Sequence, residues 1–240
     1  MKSIYQTIVL KLSGEALADS HDKTILDAKK LKAVADSVLA ITKMGVKVGV
    51  VVGAGNIYRG KLSEKIGIER STGDYMGMLG TIINALALQS AFEEKGLEVR
   101  VMSSINVPQV CEPYIRRKAI HHLNNGRVVI FAGGTGNPYF TTDTTATLRA
   151  REVGAEAILM AKNGIEGVYD DDPRVNKSAK LLKKLTYREV IERKLGVMDT
   201  TAVALIEDSD IKINVFDMEN PENILKVLEG ENIGTVISKE

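Results

Sequence analysis

Glycines and hydroxyls crowd the stretch Gly133-Gly134-Thr135-Gly136-Asn137-Pro138-Tyr139-Phe140-Thr141-Thr142-Asp143, set between an apolar run, Arg127 to Ala132, and a helical stretch reaching about Glu152. Glycine lets backbone approach a ligand closely, threonine supplies hydroxyls, and a helix N-terminus attracts phosphate. Thr142 reads as the cap of that helix, with Asp143 in its first turn, where unpaired N–H groups and the dipole favour negative charge. An ordinary Gly/Asn/Pro turn is the alternative. Lys11 stands at the carboxyl end of a strand read over Tyr5 to Leu12 and is followed by Ser13-Gly14-Glu15. Ligands of open parallel sheets bind outside such ends, so Lys11 meets either a phosphate or solvent. Arg59 lies in a further glycine loop, Gly53 to Lys61, and its guanidinium can take phosphate oxygens in pairs. Asp74 starts a long helical segment, either as its cap or as an acceptor for a sugar hydroxyl. Together these residues supply what phosphoryl transfer asks of a protein, positioning and charge around in-line oxygens, and no Ser–His or Cys–His pair competes with that reading.

Two familiar nucleotide motifs come close and fail. A dinucleotide fingerprint needs its third glycine where Tyr58 stands, and it belongs in the chain's first βα turn rather than the second. Gly55 to Lys61 fits G-x-x-x-x-G-K, but Leu62 occupies the place of the hydroxyl that holds magnesium in a P-loop. The run Asp170-Asp171-Asp172 before Pro173 is either a magnesium site or a solvated turn.

The elements that must carry these loops follow from the apolar pattern. Strands are read over Tyr5 to Leu12, Val46 to Val52, Leu97 to Ser103, Arg127 to Ala132, Ala155 to Ala161, Ile211 to Phe216 and Gly234 to Ile237, several of them continuously apolar as in parallel sheets buried on both faces. Helices are read over Thr24 to Met44, closed by Gly45, over Gly73 to Phe92, closed by Lys95-Gly96, and over Tyr114 to Leu123. The turn-rich stretch Lys162 to Pro173 follows the fifth strand; Thr186 to Glu189 is a capping box for a helix to Leu195, and Asn220-Pro221 caps one to about Leu228. The alternation gives an α/β fold, a three-layer sandwich around a mostly parallel sheet, in one domain over 1–240.

Composition narrows the function classes. With a net charge of +1 and basic residues spread along the chain, no basic face for nucleic acid is expected, and 5% aromatics without Trp argue against a stacking platform. The lone Cys111 cannot form an internal disulfide, the histidines His21, His121 and His122 lack partners at metal-ligand spacing, and no secretory signal or bilayer-length apolar segment is read. A reducing cytoplasm fits.

The runs Lys11-Leu12-Ser13-Gly14-Glu15-Ala16-Leu17, Gly53-Ala54-Gly55-Asn56-Ile57-Tyr58-Arg59-Gly60, Gly73-Asp74-Tyr75-Met76-Gly77-Met78 and Thr135 to Asp143, in that order and over essentially the whole chain, resemble the bacterial uridylate (UMP) kinases of the amino acid kinase fold. The resemblance implies conversion of UMP to UDP with ATP and Mg2+, within pyrimidine (UTP and CTP) biosynthesis, by a cytoplasmic homohexamer subject to feedback by UTP. It implies catalytic roles for Lys11, Arg59 and Asp143, with Lys11 neutralising the transferring group and Asp143 holding Lys11. It places Lys11, Leu12, Ser13, Gly14, Gly55, Arg59, Asn163, Tyr169 and Asp172 at ATP, with Tyr169 beside the base. It places Ala54, Asp74, Thr135, Gly136, Asn137, Pro138, Tyr139, Phe140, Thr141 and Thr142 at UMP, and gives the metal no protein ligand of its own. Ala54 replaces the family's glycine, which tightens the space beside the UMP phosphate and keeps the N–H. A GTP effector response is expected to be weak or absent, because Ala18 to Lys23 has no glycine and carries two acids, and Gln89 and Glu93 stand where relatives have bases, although Arg100 is kept. The rivals are a sibling kinase acting on a carboxylate or carbamate and a nucleotide sensor without catalysis. The Asn137 to Thr142 run speaks against the first, and the presence of both Lys11 and Asp143 against the second.

Overall fold

In the computed structural model, residues 2–19, 24–60, 63, 65–162, 164–173, 175–218, 220 and 222–240 are described. The strands are β1 (Thr7–Leu12), β2 (Lys47–Val52), β3 (Val99–Ser103), β4 (Glu112–Pro113), β5 (Val128–Ala132), β6 (Ala157–Lys162), β7 (Val168–Tyr169), β8 (Leu181–Leu182), β9 (Lys184–Thr186), β10 (Lys212–Asp217) and β11 (Thr235–Ser238). The helices are α1 (Ala28–Lys43), α2 (Arg70–Glu94), α3 (Arg116–Asn124), α4 (Thr142–Val153), α5 (Tyr187–Glu192), α6 (Thr200–Ala204) and α7 (Glu222–Leu228), with a 3-10 turn at Gly14–Leu17. Nine strands form one sheet in the order β4-β3-β5-β2-β1-β6-β10-β11-β9, and β7 pairs with β8 apart from it. Every pairing in the large sheet is parallel except β10 with β11.

Apolar runs drive this arrangement. All of β5 is buried, and β1 sends Ile8, Leu10 and Leu12 to one core and Val9 to the other. The first core is closed by α1, α2 and α7 through residues such as Val38, Leu88 and Val227. The second is closed by α3, α4, α5 and α6 through Leu123, Ala146, Val190 and Val203. Helices therefore cover both faces, as the alternation of elements required.

The same division locates the site. β1 and β2 lead into α1 and α2 on the first face, whereas their neighbours β6 and β5 lead to helices on the second. Where adjacent parallel strands send their connections to opposite faces, a crevice opens at the carboxyl ends. The segments after Leu12, Val52, Ala132 and Lys162 all converge there.

Several boundaries depart from the sequence reading. The first helix starts at Ala28 behind the cap Asp27, not at Thr24, because the Asp27 carboxylate accepts from Lys30 N at 2.9 Å. The long helix begins at Arg70, ahead of Gly73, so Asp74 lies inside it and caps nothing. Thr141 rather than Thr142 caps α4, since its hydroxyl accepts from the Asp143 and Thr144 N–H groups. Tyr114 precedes α3, and α5 ends at Glu192, short of Leu195. The Thr186 capping box is present, and Asn220 Oδ1 accepts from Glu222 N at 3.0 Å. The expectation of no bilayer-length apolar segment is also corrected: α2 is long and apolar enough by length and composition, yet Ile82, Ala85, Leu88 and Phe92 on it are packed into a core.

Candidate phosphoryl-transfer site

Lys11 Nζ and Asp143 Oδ1 meet at 2.6 Å. The lysine is fixed by pairing of β1 with β2 and β6 on either side, and the aspartate by the capped first turn of α4. Beyond this ion pair, Asp143 Oδ1 is buried without a hydrogen-bond partner among the described residues. That cap is itself held from below. Asp199, the cap of α6, accepts from Ala202 N at 2.9 Å, from Thr144 Oγ1 at 3.0 Å and from the Thr141 hydroxyl.

A second lysine arrives from β6. Lys162 Nζ donates to the Val197 carbonyl at 3.0 Å. Burial lowers its pKa; the nearby Asp143 opposes that shift and Lys11 adds to it, so the two ammonium groups share one carboxylate field. The sequence reading passed over Lys162 as the start of a turn. The signal that could have found it is the one that found Lys11, a charged residue closing an apolar parallel strand.

The glycine loops after β1 and β2 touch. A Cβ on Gly14 would stand 2.6 Å from the Gly53 carbonyl and 2.8 Å from Gly55 N, which only glycine tolerates. Ser13 caps the 3-10 turn, and the Leu12 side chain lies wholly in the core, leaving only its backbone for a ligand. Arg59 reaches across the mouth to Glu15 at 2.5 Å, with both side chains more than half exposed.

On one side of this centre a cavity is lined by Ala54, Asp74, Met78, Thr81, Thr135 and Phe140, with Thr141 and Thr142 at its inner end. Asp74 accepts from Tyr139 N at 2.8 Å and from Arg70 Nε at 3.0 Å, so its carboxylate bridges α2 and the loop. Gly136, Asn137, Pro138 and Tyr139 form the outer turn beyond that wall, and Tyr139, with φ 71°, is 67% exposed.

On the other side a cavity of about 470 Å³ runs from Lys162 past Gly164, Tyr169 and Asp172 to Arg193 and Leu195. Tyr169 and Asp172 were expected here; the Arg193 to Val197 wall was not, because it comes from the segment after α5. Tyr169 OH donates to Glu166 Oε2 at 3.2 Å. Asp170 and Asp171 spend their carboxylates on the local turn, accepting from Lys180 N at 2.7 Å and from Asn176 Nδ2 at 2.9 Å, which favours the solvated-turn reading of that run. No group of three His, Cys, Asp or Glu side chains placed to hold a metal occurs among the described residues. Asn163, Lys61, Leu62 and the Ser20 to Lys23 stretch lie outside the described residues.

Residues 6–217 match the model of the amino acid kinase family. Among solved structures, the chain is similar to the UMP kinase from Bacillus anthracis, with 44% identity and a TM-score of 0.95 over 98% of this chain and 97% of that one. It is similar to the UMP kinase from Ureaplasma parvum, with 38% identity and a TM-score of 0.93 over 100% of both chains. It is also similar to the uridylate kinase from Archaeoglobus fulgidus, with 31% identity and a TM-score of 0.74 over 96% of this chain and 99% of that one.

Proposed function

The chain belongs to the amino acid kinase family, and from that premise we propose that it transfers the γ-phosphoryl group of ATP to UMP, giving UDP. The observation that carries this is the Lys11–Asp143 pair with Lys162 beside it, set between two cavities, one rimmed by the threonine-rich loop and the other by Tyr169. A nucleoside monophosphate already carries anionic oxygens at neutral pH, its second ionisation falling near pH 6, so the acceptor needs no general base. Positive charge and alignment remain for the protein to supply. Lys11 and Lys162 provide the charge, and Asp143 keeps the two ammonium groups from repelling each other apart. Arg59 turns from Glu15 to phosphate oxygens when they arrive, a small cost because exposed ion pairs contribute little.

In this reading Asp74 and Thr135 to Thr142 hold UMP, with Ala54 beside its phosphate, and Ser13, Gly14, Gly55, Tyr169 and Asp172 hold ATP. Magnesium fits the residues as an ion carried by ATP rather than by the chain. Mg2+ keeps several waters and takes one or two carboxylates, and the carboxylate at this centre is Asp143, whose Oδ1 already meets Lys11 Nζ at 2.6 Å. When bound, the ion neutralises phosphate charge. The activity serves pyrimidine nucleotide synthesis in the cytoplasm, with UTP as a feedback inhibitor, in a chain folded as one domain. We extend the proposal to a homohexamer, supported by the exposed stripe Tyr75, Leu79 and Ile83 along α2.

A coupled assay of ATP with UMP, CMP, dCMP, glutamate or carbamate tests the reading. UMP is expected to be strongly preferred, because fixed backbone groups that match uracil's O4 and N3–H are left unpaired by cytosine. Equal kcat/KM for UMP and CMP would make it a general pyrimidine nucleotide kinase, and turnover of glutamate or carbamate alone would overturn it.

A further inference from the structure

Helix α2 carries two buried polar side chains, Thr81 and Asn84, each of which makes a hydrogen bond out of the helix to a ligand loop. Thr81 Oγ1 donates to the Met78 carbonyl at 2.7 Å and accepts from the Gly133 N–H at 2.9 Å. Asn84 Nδ2 donates to the Gly53 carbonyl at 2.7 Å and to Asn56 Oδ1 at 2.8 Å, while its Oδ1 accepts from Asn56 Nδ2 at 3.0 Å. Gly53 is the first residue after β2 and Gly133 the first after β5, the adjacent strands whose connections leave to opposite faces. Gly80, just before Thr81, lets the helix lie on the loop, since a Cβ there would come within 2.9 Å of the Ala54 Cβ. Burying polar groups in an otherwise apolar helix face is costly unless their bonds are all made, and here they are made to the two loops and, for the Thr81 donor, to the helix's own Met78 carbonyl. Among the described residues none accepts a hydrogen bond from the Ala54 or Gly55 N–H, so turning the Gly53 carbonyl toward Asn84 leaves the following amides for a ligand.

We propose that Thr81 and Asn84 are positioning residues that set the two glycine loops against each other, Thr81 governing the loop that receives the nucleoside monophosphate and Asn84 the loop that faces both nucleotides. The proposal rests on the kinase reading above. Thr81 lines the cavity beside Asp74 and Thr135, whereas Asn84 lies behind its loop, which predicts different kinetic signatures.

Thr81→Val keeps shape and removes the acceptor for Gly133. The KM for UMP is expected to rise about tenfold, the scale of one hydrogen bond, with the KM for ATP within twofold. Thr81→Ser restores the hydroxyl and should restore the KM. Ile82→Val, which removes one methyl from the same helical turn, controls for lost packing and should leave both constants unchanged. Asn84→Ala should raise the KM for both nucleotides. A Thr81→Val enzyme with a normal KM for UMP, or an Ile82→Val enzyme with the same defect, overturns the positioning role. Hydrogen–deuterium exchange read by mass spectrometry tests it without any substrate: Thr81→Val should speed exchange in the 133–142 segment and not in 54–58. Unchanged exchange in 133–142 refutes the proposal whatever the substrate proves to be, while wild type that fails to phosphorylate UMP refutes the functional reading alone.

Discussion

Lys11 projects from a strand buried between two others, so its side chain contributes charge to the site and little to either core. Lys11→Ala is therefore expected to lower kcat about a hundredfold or more while the protein stays folded, the scale for losing a preorganised charge. Steady-state rates alongside a thermal melt check this, and a near-normal kcat removes Lys11 from the mechanism. Lys162 adds a pH signature. Its pKa is lowered from 10.5, chiefly by burial, so in the free enzyme its charge is lost as pH rises through a value below that of an ordinary lysine. kcat/KM reports the free enzyme, so it should fall on the alkaline side in that lowered window, and Lys162→Arg, which holds its proton, should remove the fall. A profile unchanged by Lys162→Arg would show that another group sets the limb. Lys11 and Asp143 could be found in the sequence because each sits beside a run of glycines and hydroxyls. Lys162 carries the same strand-end signal as Lys11 but opens a turn-rich stretch and was passed over, and its contacts with Asp143 and the Val197 carbonyl are assembled only by the fold.

The seven strands read from apolar runs were legible to within a few residues because burial on both faces demands such runs, as in β2 and β5, whereas the two- and three-residue strands β4, β7, β8 and β9 carry no such run and were not read. The starts of α1, α2 and α4 were not, although the Thr186 capping box and the Asn220 cap were; at α4 two hydroxyls in a row can each cap, and a tertiary partner decides between them. Thr141 outcompetes Thr142 because Asp199 fixes its hydroxyl, and Asp199 comes from a helix far along the chain. That bond makes α6 a support for Asp143. Asp199→Ala removes the cap of α6 and the acceptor for Thr141 and Thr144 together, so a stability loss of about 1–2 kcal/mol is expected. A drop in kcat should accompany it, as the first turn of α4 loses its anchor. Denaturant melts and rates on the same preparation check both, and a stability loss with unchanged kcat would confine Asp199 to a structural role.

Across the whole molecule, the order of strands could not be read from the chain, because crossovers of similar length place β3 beyond β5 and β6 on the far side of β1. That order creates the crevices, so the site's location was foreseen through the rule about carboxyl ends rather than through contacts. The outer face of α2 is likewise an assembly question. Tyr75, Leu79 and Ile83 are exposed at 44%, 47% and 48%, spaced to form one stripe, and contiguous apolar surface of that kind marks interfaces. Light scattering should show an oligomer, and a monomer at every concentration would discard that part of the proposal. The GTP response that the resemblance raises turns on Gln89, Glu93 and Arg100. Of the cations that the uridylate kinase resemblance ties to GTP, Arg100 remains, and the structure shows it engaged: its Nη1 donates to the Val99 carbonyl at 2.7 Å and its Nε faces Glu112 Oε1 at 3.6 Å. Glu112 also holds Lys118 at 2.5 Å and His122 at 3.2 Å, so the carboxylate is the centre of a small basic cluster that a triphosphate would have to break. Gln89 and Glu93 bond each other at 2.9 Å and offer no positive charge to repay the desolvation of a polyanion. Initial rates at subsaturating ATP should therefore change less than about twofold when GTP is added, the scale that one exposed ion pair can contribute. A several-fold activation would show that other residues have rebuilt the site. Glu112→Gln then offers the counter-test, since freeing Arg100 and Lys118 from their carboxylate should strengthen whatever GTP response exists.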